Sequence, residues 1–409
     1  MKKRRELRTI HNSNGLWTNS GYAVFQQMLL SRLAKDGWSL AQIAFWGLEG
    51  SPVYLKDYPN IKIYPKMGDQ WGADAMVAHG QDFKAHAVFT MQDIWVLDPN
   101  ILKQIKVFIP YVPIDKSPVP PGVIDKLRYA YKIISMSKFG QKELEKKGFA
   151  STLIVEGTDT NQFKPMDQVQ CRKDLGLPQD AFFFGMIAAN KENPPRKGFQ
   201  EAIEAFKLFH DKHPEAAILF LIQQRAPGGF PINEFANHLG VGNRMFYVND
   251  YNSIFNGGPS YTSKIYNAID VHFHPSQTEG FGLTVIEANA CGKPTIVNDT
   301  TSMPEMVIDG VTGGICKTGK PRFTNDVSWV YPADVDSLYE QMEKVYKMVK
   351  DNRVKVAKDC RDYIVKNYNI DTIVKEQWIP LFIELQEELL KTPELTKDKA
   401  SITIPIAAR

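Results

Sequence analysis

The run HPSQTEGFGLTVIEANACGKPTIV constrains the fold of this chain more than any other segment. The apolar residues 271–274 predict a short buried strand, and a helical pattern begins near Leu283. The loop between them carries Glu279, and Glu287 lies about one turn into the helix. Free backbone N–H groups and the helix dipole make such a helix start a site for anions such as a diphosphate. The pattern therefore predicts two carboxylates flanking a phosphate site.

The wider run IYNAIDVHFHPSQTEGFGLTVIEANACGKPTIV resembles the donor-binding signature of retaining GT-B glycosyltransferases, specifically glycosyltransferase family 4. In that family a Glu-x7-Glu pair follows "YnaaDvfv-PS" and precedes "EA-AcG-Pvi", and this chain matches the signature in order over more than thirty residues. The resemblance implies an α/β fold of the GT-B type. Such a fold has two Rossmann-like doubly wound domains, a cleft between them and a C-terminal crossover helix.

Strand and helix patterns alternate along the chain, which agrees with parallel, doubly wound sheets. The stretch LIVEGTDTNQFKPMD resembles the segment by which the family's chain leaves its first domain. Pro380 falls inside the terminal helical pattern and is expected to kink or divide that helix. We predict a first, acceptor-side domain over 1–165, a nucleotide-sugar domain over 166–372, a helix returning to the first domain over 373–391 and a loose tail over 392–409.

Composition fits a cytoplasmic protein of two ordinary domains. The 409 residues are 43% hydrophobic and 23% charged, and no apolar run approaches the length needed to span a membrane. The charged N-terminus lacks the apolar core of a signal peptide. The four cysteines are scattered, as reduced structural thiols are. We therefore expect a cytoplasmic location, which for a viral protein means the host cytoplasm.

Metal binding and other cofactors are not expected. His272 and His274 alternate along a strand, where packing is the simpler explanation. The only Asp-x-Asp, formed by Asp334 and Asp336, lies in a polar stretch far from the signature. GT-B enzymes resemble one another in using helix dipoles and basic side chains on the diphosphate instead of a divalent ion.

Charge is divided unevenly along the chain. Residues 1–165 hold 22 Lys and Arg against 15 Asp and Glu, whereas the remainder holds 27 against 31. Basic residues concentrate near the N-terminus and over 126–147. This excess has two interpretations: a solvated helix face with a charged tail, or an anionic acceptor such as DNA, an acidic glycan or a lipid surface.

Arg196 and Lys197 stand in a loop directly before a helix that the sequence predicts from about Phe199 to His210 in the second domain. Cations at a helix start are locally unfavourable unless an anion binds there, so the pair predicts a diphosphate site. The family places its phosphate-binding Arg and Lys on this same loop. Many members separate the two by about five residues, whereas here they are adjacent.

The resemblance also implies roles for the signature residues. Glu279 is the catalytic carboxylate that faces the transferred sugar, and Glu287 hydrogen-bonds the nucleotide ribose. Gly280 and Gly282 let the main chain approach a ligand closely. The remaining donor-binding residues are the main-chain N–H groups of Phe281, Gly282 and Leu283, with Asp250 and Tyr251 near the base of a nucleotide-sugar donor, most simply a UDP-sugar.

Four side chains and one glycine of the first domain complete the expected site. The segment NGLWTNSGYA resembles the family's first glycine loop, in which Gly21 faces the diphosphate across the cleft. Trp17 and Tyr22 are candidates for acceptor contact. Asp93 follows a predicted strand, where open α/β sheets place ligands, and is a second catalytic candidate. Asp115 has a similar position and is assigned to the acceptor.

These features predict a metal-independent retaining glycosyltransferase that moves a hexose-type sugar from a nucleotide-diphospho-sugar to a hydroxyl of a glycan or glycoconjugate. One alternative is glycosylation of hydroxymethylated pyrimidines in DNA, as in viral DNA modification. Another is a GT-B epimerase or an inactive sugar-nucleotide binder. Peripheral membrane contact ranks below these, because the basic segment offers few apolar residues beside its charges.

Overall fold

The computed structural model describes residues 5–225, 227–248 and 258–392, and they form two α/β units. The first unit holds an eight-stranded sheet in the order β3-β4-β2-β1-β5-β6-β7-β8. Its strands are parallel except for β3, which pairs antiparallel with β4. The strands are β1 (Arg8–Asn14), β2 (Ser39–Trp46), β3 (Val53–Leu55), β4 (Tyr58–Pro65), β5 (Ala87–Thr90), β6 (Phe108–Val112), β7 (Ile134–Ser135) and β8 (Thr152–Leu153).

Helices connect these strands, and the first of them shows why the chain turns where it does. Ser20 caps the first helix, because its side chain accepts a hydrogen bond from the backbone N–H of Ala23. Apolar residues four apart, Phe25, Leu29 and Leu33, then pack one face against the sheet. The helices are α1 (Gly21–Lys35), α2 (Ala73–Asp82), α3 (Pro99–Leu102), α4 (Pro121–Leu127) and α5 (Lys138–Glu145).

The second unit contains a six-stranded parallel sheet in the order β11-β10-β9-β12-β13-β14. Its central strands are continuous apolar runs, since helices cover both faces of a parallel sheet. The strands are β9 (Phe182–Asn190), β10 (Ala216–Arg225), β11 (Met245–Tyr247), β12 (Val271–His274), β13 (Thr295–Asn298) and β14 (Gly313–Cys316).

Helices of the second unit include the two whose starts the sequence predicts, at Phe199 and Leu283. Asp334 caps the longest helix by accepting from the Ser337 N–H, so the Asp-x-Asp pair is a helix start. No group of three or more His, Cys, Asp or Glu within the described ranges is arranged to hold a metal. The helices are α6 (Gln168–Asp174), α7 (Phe199–His210), α8 (Ile232–His238), α9 (Gly258–Ala268), α10 (Leu283–Ala290) and α11 (Val335–Asn367).

The C-terminal segment returns to the first sheet. It consists of α12 (Ile370–Ile373), a π-helical turn (Val374–Trp378) and α13 (Ile379–Lys391), with Pro380 in the first turn of α13. The ring of Trp378 packs 5.3 Å from that of Tyr111, and Phe382 stacks 5.6 Å from Phe89. The predicted limits at residues 165 and 372 stay a prediction, although the first falls between the two sheets. No helix in the described part is long and apolar enough to cross a bilayer.

One small element was not predicted and joins the two units. Strands β15 (Arg322–Phe323) and β16 (Trp329–Val330) form an antiparallel hairpin, here called the bridging hairpin (322–330). Trp329 N–H donates to the carbonyl of Ser117 at 3.0 Å, and the Ser328 hydroxyl donates to the carbonyl of Pro118 at 2.7 Å. Lys116 forms an ion pair with Asp326. The hairpin thus binds the loop that follows β6.

Candidate active site

The loop between β12 and α10 is held in one conformation by backbone geometry and by a serine. Gly282 adopts a φ of +125°, and a Cβ there would lie 2.9 Å from the Met306 methyl, so only glycine fits just before Leu283. The Ser302 hydroxyl lies 3.0 Å from the carbonyl oxygen of Glu279 and 2.6 Å from that of Phe281. The start of α10 is therefore fixed before any ligand binds.

Glu279 is the centre of an ion cluster. Lys197 pairs with its Oε1, the Arg196 guanidinium lies 3.5 Å from its Oε2, and the Ser276 hydroxyl donates to Oε1 at 2.8 Å. Arg196 also donates to the Thr278 carbonyl at 2.7 Å. Burial alone would raise the pKa of Glu279, but the charges of Lys197 and then Arg196 hold that pKa well below its usual range. The carboxylate is thus ionised at neutral pH.

The two cations differ in how they respond to the cluster. Burial, followed by the neighbouring Arg196 charge, lowers the pKa of the Lys197 ammonium. Burial opposes the charge of Arg196 as well, but the carboxylates of Glu279 and Asp115 raise the pKa of its guanidinium. Glu279 and the exposed Glu192, each 3.5 Å from Arg196, are the carboxylates that pair with that guanidinium.

Helix starts from both units converge on this cluster. Helix α7 begins directly after Gly198, and that glycine packs against the Pro275 backbone at the beginning of the Glu279 loop. Across the cleft, the Cβ position of Gly21 at the first turn of α1 lies 3.8 Å from the Leu283 side chain. The N-terminal ends of α1, α7 and α10 therefore face a common space. Their unpaired N–H groups and dipoles favour negative charge there.

Gly280 explains how closely the two units approach. A Cβ on this residue would lie 2.7 Å from the Cβ of Pro113 in the loop after β6. The Thr278 hydroxyl also contacts the carbonyl oxygen of Asp115 in that loop. The structure thus gives Gly280 a second reason to be glycine, beside the predicted approach to a ligand.

Replacing Gly280 with alanine is expected to push the Glu279 loop away from Pro113. We expect donor turnover to fall about tenfold, since small misplacements of reacting groups are costly, while nucleoside diphosphate binding changes little. Gly319→Ala is the control, because a Cβ there meets nothing closer than 3.5 Å and its backbone is not left-handed. Steady-state turnover and calorimetric binding on the three proteins check this. Unchanged turnover in Gly280→Ala contradicts the proposed tight approach.

Two further acids face the cluster from the first unit. Asp93 lies just after β5, and Asp115 lies after β6. Water reaches Asp93 within the cleft, yet the surrounding protein and then the Asp115 charge raise its pKa, and the Tyr22 hydroxyl bonds to its carboxylate. Burial likewise raises the pKa of Asp115, against the pull of Arg196. Tyr22, Asp93 and Asp115 are thus brought together opposite Arg196.

Glu287, predicted to contact the nucleotide ribose, is almost fully buried in α10. It is 6% exposed and accepts a hydrogen bond from Tyr266 at 2.8 Å. Burial raises its pKa to about 7, although the bond from Tyr266 opposes that shift. Its carboxyl group therefore titrates near neutral pH in the ligand-free protein.

Sequence reasoning missed Glu156 and assigned no role to His274. Glu156 lies three residues after the end of β8 and is 4% exposed. Burial and then the charges of Glu279 and Glu287 raise its pKa to about 8. The His274 Nε2 lies 3.2 Å from a Glu279 oxygen, although burial lowers the pKa of its imidazole. Only the position of Glu156 beside Gly157, in the domain-exit segment, offered a signal.

Glu156 predicts a pH-dependent stability with a defined sign. Between about pH 4.5 and pH 8 the folded protein keeps the Glu156 proton, whereas the unfolded chain has released it. The unfolded state then binds fewer protons, so the free energy of unfolding falls as pH rises through this window. Glu156→Gln removes that contribution. From pH 5 to pH 9, the free energy of unfolding of this variant should therefore rise by roughly 2–5 kcal/mol relative to that of the parent.

Urea unfolding at the two pH values measures this difference. Glu340→Gln, an exposed carboxylate on α11, is the control and should leave the pH dependence unchanged. If the free energy of unfolding changes with pH in the same way in the parent and in Glu156→Gln, the prediction for Glu156 is wrong.

Of the remaining predicted residues, Trp17 lies on a loop of the first unit and two others fall outside the described residues. Trp17 is exposed on the loop after β1, where its ring packs on Gly15 and Gly47. Asp250 and Tyr251 fall outside the described residues. The main-chain positions of Gly280 to Leu283 stay predictions for sugar and phosphate contact.

Two facing α/β units and a crossover helix define a fold of the GT-B type. Comparisons with known proteins agree: residues 170–352 match the family model described as glycosyl transferases group 1. The fold superimposes on sucrose-phosphate synthase from Thermosynechococcus elongatus with a TM-score of 0.73 at 16% identity, covering 94% of this chain and all of that one. Against HepE from Anabaena in complex with UDP-glucose the TM-score is 0.65 at 14% identity, with 94% and 100% coverage.

Curated relatives match about two fifths of this chain in sequence. A D-inositol 3-phosphate glycosyltransferase from Actinosynnema mirum is 27% identical over 166 residues, which are 40% of this chain and 39% of the relative. The lipopolysaccharide core biosynthesis mannosyltransferase LpsB from Rhizobium meliloti is 28% identical over 175 residues, which are 41% of this chain and 45% of the relative. The match thus spans about two fifths of the length of these relatives. Residues 170–352 are therefore similar to the glycosyl transferases of group 1, and the fold is of the GT-B type, as the resemblance in the sequence implies.

Proposed function

We propose that this chain is a retaining glycosyltransferase that moves a hexose-type sugar from a nucleotide-diphospho-sugar to an acceptor hydroxyl of a glycan. The observation that carries the proposal is the pairing of Lys197 and Arg196 with Glu279 where the starts of α7 and α10 meet the start of α1. That arrangement offers positive charge for a diphosphate next to a carboxylate for a sugar, with no need for a metal ion.

The cluster acts mainly by stabilising the leaving group, the nucleoside diphosphate. As the bond between the anomeric carbon and the diphosphate oxygen breaks, negative charge grows on the nucleoside diphosphate. Arg196, Lys197 and the start of α10 stabilise that charge where it develops, which is the most effective use of fixed charges in a site. Binding of the diphosphate also gives the two cations a partner besides Glu279.

Glu279 and the acids of the first unit then divide the remaining tasks. Glu279 stays ionised and holds sugar hydroxyls while opposing the positive charge that develops at the anomeric carbon. The acceptor oxygen forms its bond on the face from which the diphosphate departs, and the acceptor proton passes to the departing diphosphate oxygen. Asp93 and Tyr22 lie on the opposite wall and orient the acceptor hydroxyl.

A UDP-sugar is the donor we favour. HepE from Anabaena, which shares the fold, has been crystallised with UDP, with UDP and glucose, and with UDP-glucose. In this chain Glu287 is the carboxyl group in α10 assigned to the ribose, and we infer that a hydroxyl of the ribose replaces or shares its bond from Tyr266. The retained cluster of Glu279, Arg196 and Lys197 favours a transferase over an inactive sugar-nucleotide binder.

A donor screen tests the proposal. Release of nucleoside diphosphate is measured for UDP-, GDP- and ADP-sugars, with neutral glycans or with DNA containing 5-hydroxymethylated pyrimidines as acceptor, at low and moderate salt. Release from one donor, accelerated by a glycan, is the expected result. Mass gain on the DNA that is suppressed by salt would replace the glycan by DNA as acceptor. A sugar isomer formed with no transfer would mark an epimerase, and no release from any donor would overturn the proposal.

A further inference from the structure

Tryptophan is distributed unusually in this protein. Of its seven tryptophans, only Trp38 and Trp378 are buried, at 3% and 1% exposure. Four of the other five follow the carboxyl ends of strands in the first sheet and are 37–60% exposed. Large aromatic side chains are mostly hidden from water, so a group of them exposed along one edge needs a reason. We call this group the tryptophan row: Trp71, Trp46, Trp17 and Trp95.

The row follows the order of neighbouring strands. Trp71 lies after β4, Trp46 ends β2, Trp17 lies after β1 and Trp95 lies after β5, and β4-β2-β1-β5 are adjacent and parallel in the sheet. Neighbouring strands are about 4.8 Å apart, so four of them span about 14 Å. That length is about three sugar rings placed end to end.

The loops that carry the row are tied to the sheet. The Trp17 ring packs on Gly15 and Gly47, where a Cβ would lie 3.1 Å and 3.4 Å from ring atoms. Gly15 N–H donates to the Trp46 carbonyl at 2.7 Å. These bonds and contacts position the indoles without covering them.

The Trp71 loop is held in the same way. Asn12 donates to the Trp71 carbonyl at 2.9 Å, and the Asp69 carboxylate accepts from the Trp71 N–H at 2.9 Å. The Trp71 ring meets the Phe45 ring edge-on at 5.9 Å. The exposure of the indole is therefore a property of an ordered loop.

Charge along the row disfavours a polyanion. The four loops, 15–20, 47–52, 66–72 and 93–98, contain four acids and a single cation, Lys66, which pairs with Glu49 at 2.7 Å. The basic residues of α5 lie at the other end of the sheet, next to β7 and β8. There the N–H groups of Lys138 and Phe139 already bind Glu305. The excess of basic residues in the first unit thus does not extend to the row.

We propose that the tryptophan row is the acceptor subsite for a neutral oligosaccharide of about three rings, whose end enters the cleft beside Tyr22. This inference rests on the proposed function and narrows its acceptor. The C–H groups on one face of a pyranose give it an apolar side that stacks on indole, while its hydroxyls stay in water. Trp17 and Tyr22 lie on either side of the α1 start, so the row continues directly into the catalytic cleft.

Binding to immobilised neutral oligosaccharides of one to four rings tests the row, with single-stranded and duplex 12-mer DNA immobilised alongside at two salt concentrations. We expect retention on glycans of three or four rings, insensitive to salt, and a loss of about tenfold in affinity for Trp46→Ala and for Trp71→Ala. Val354→Ala is the control, since that side chain is 81% exposed on α11, away from the row. The same proteins are assayed for UDP binding, which the row variants should leave unchanged.

If the parent and both tryptophan variants are retained equally on glycans, the row is not the acceptor subsite. Retention on DNA that falls as salt rises overturns the proposal as well. Absence of glycan retention by the parent overturns it too. If UDP also fails to bind and no donor is turned over, the proposed function fails with it. If UDP binds and donors are turned over normally but glycans are not retained, only the proposal for the tryptophan row is wrong.

Discussion

Replacing Glu279 with glutamine is expected to lower sugar transfer by at least about 100-fold while leaving UDP binding within about threefold. Glutamine keeps the shape of the side chain but removes the charge that opposes a developing positive charge at the anomeric carbon, a contribution worth about two to three orders of magnitude in comparable sites. Binding should persist because Lys197 and Arg196 lose a competing carboxylate. Turnover by coupled assay and binding by calorimetry separate the two effects.

The control for this variant is chosen from the same ion network. Glu192 lies 3.5 Å from Arg196 but is 54% exposed, so Glu192→Gln should change turnover less than about threefold. A fall in both variants would assign the effect to Arg196 rather than to Glu279. Full turnover in Glu279→Gln would remove Glu279 from the reaction.

The second large effect is expected from the double variant Arg196→Ala/Lys197→Ala. Charge-assisted hydrogen bonds contribute roughly 1.5–3 kcal/mol each, so losing two should weaken UDP binding by about 100-fold or more. Uridine carries no phosphate, and its binding should change by less than about threefold. Calorimetric titration of both ligands into both proteins gives the comparison.

Removal of two exposed cations elsewhere is the matched control. Lys355 and Lys358 form i,i+4 pairs with Asp359 and Asp362 on α11, and their double alanine variant should bind UDP like the parent. Circular dichroism confirms that the site variant is folded, since Glu279 loses its cationic partners there. Equal loss of UDP and uridine binding would exclude the pair from the phosphate site.

The helices and the strand that carry the signature could be predicted from local sequence patterns. Helices α7 and α10 begin at the predicted residues, because Gly198 and Gly282 interrupt the chain directly before each and apolar spacing continues after. Strand β12 was likewise predicted from its apolar run. The family resemblance assigned Glu279 and the loop of Arg196 and Lys197 to one donor site, although the two segments are about eighty residues apart; their ion pairing was not predicted.

Contacts between distant segments could not be predicted from local sequence patterns. The position of Gly280 against Pro113 depends on how the two units meet, and no local pattern encodes that distance. Glu156 looks like an ordinary loop carboxylate in the sequence, and only the fold buries it where the charges of Glu279 and Glu287 raise its pKa. The bridging hairpin consists of two-residue strands, which are too short to show a period of two.

The loop after β6 is held at both ends by the second unit. Its first part meets Gly280 and Thr278, and its last part is bonded by the bridging hairpin at Ser117 and Pro118. Separating the units therefore breaks these contacts together rather than in sequence, which makes opening of the cleft cooperative. A change at Asp326, which pairs with Lys116 between the two units, is then expected to reach the loop that carries Glu279.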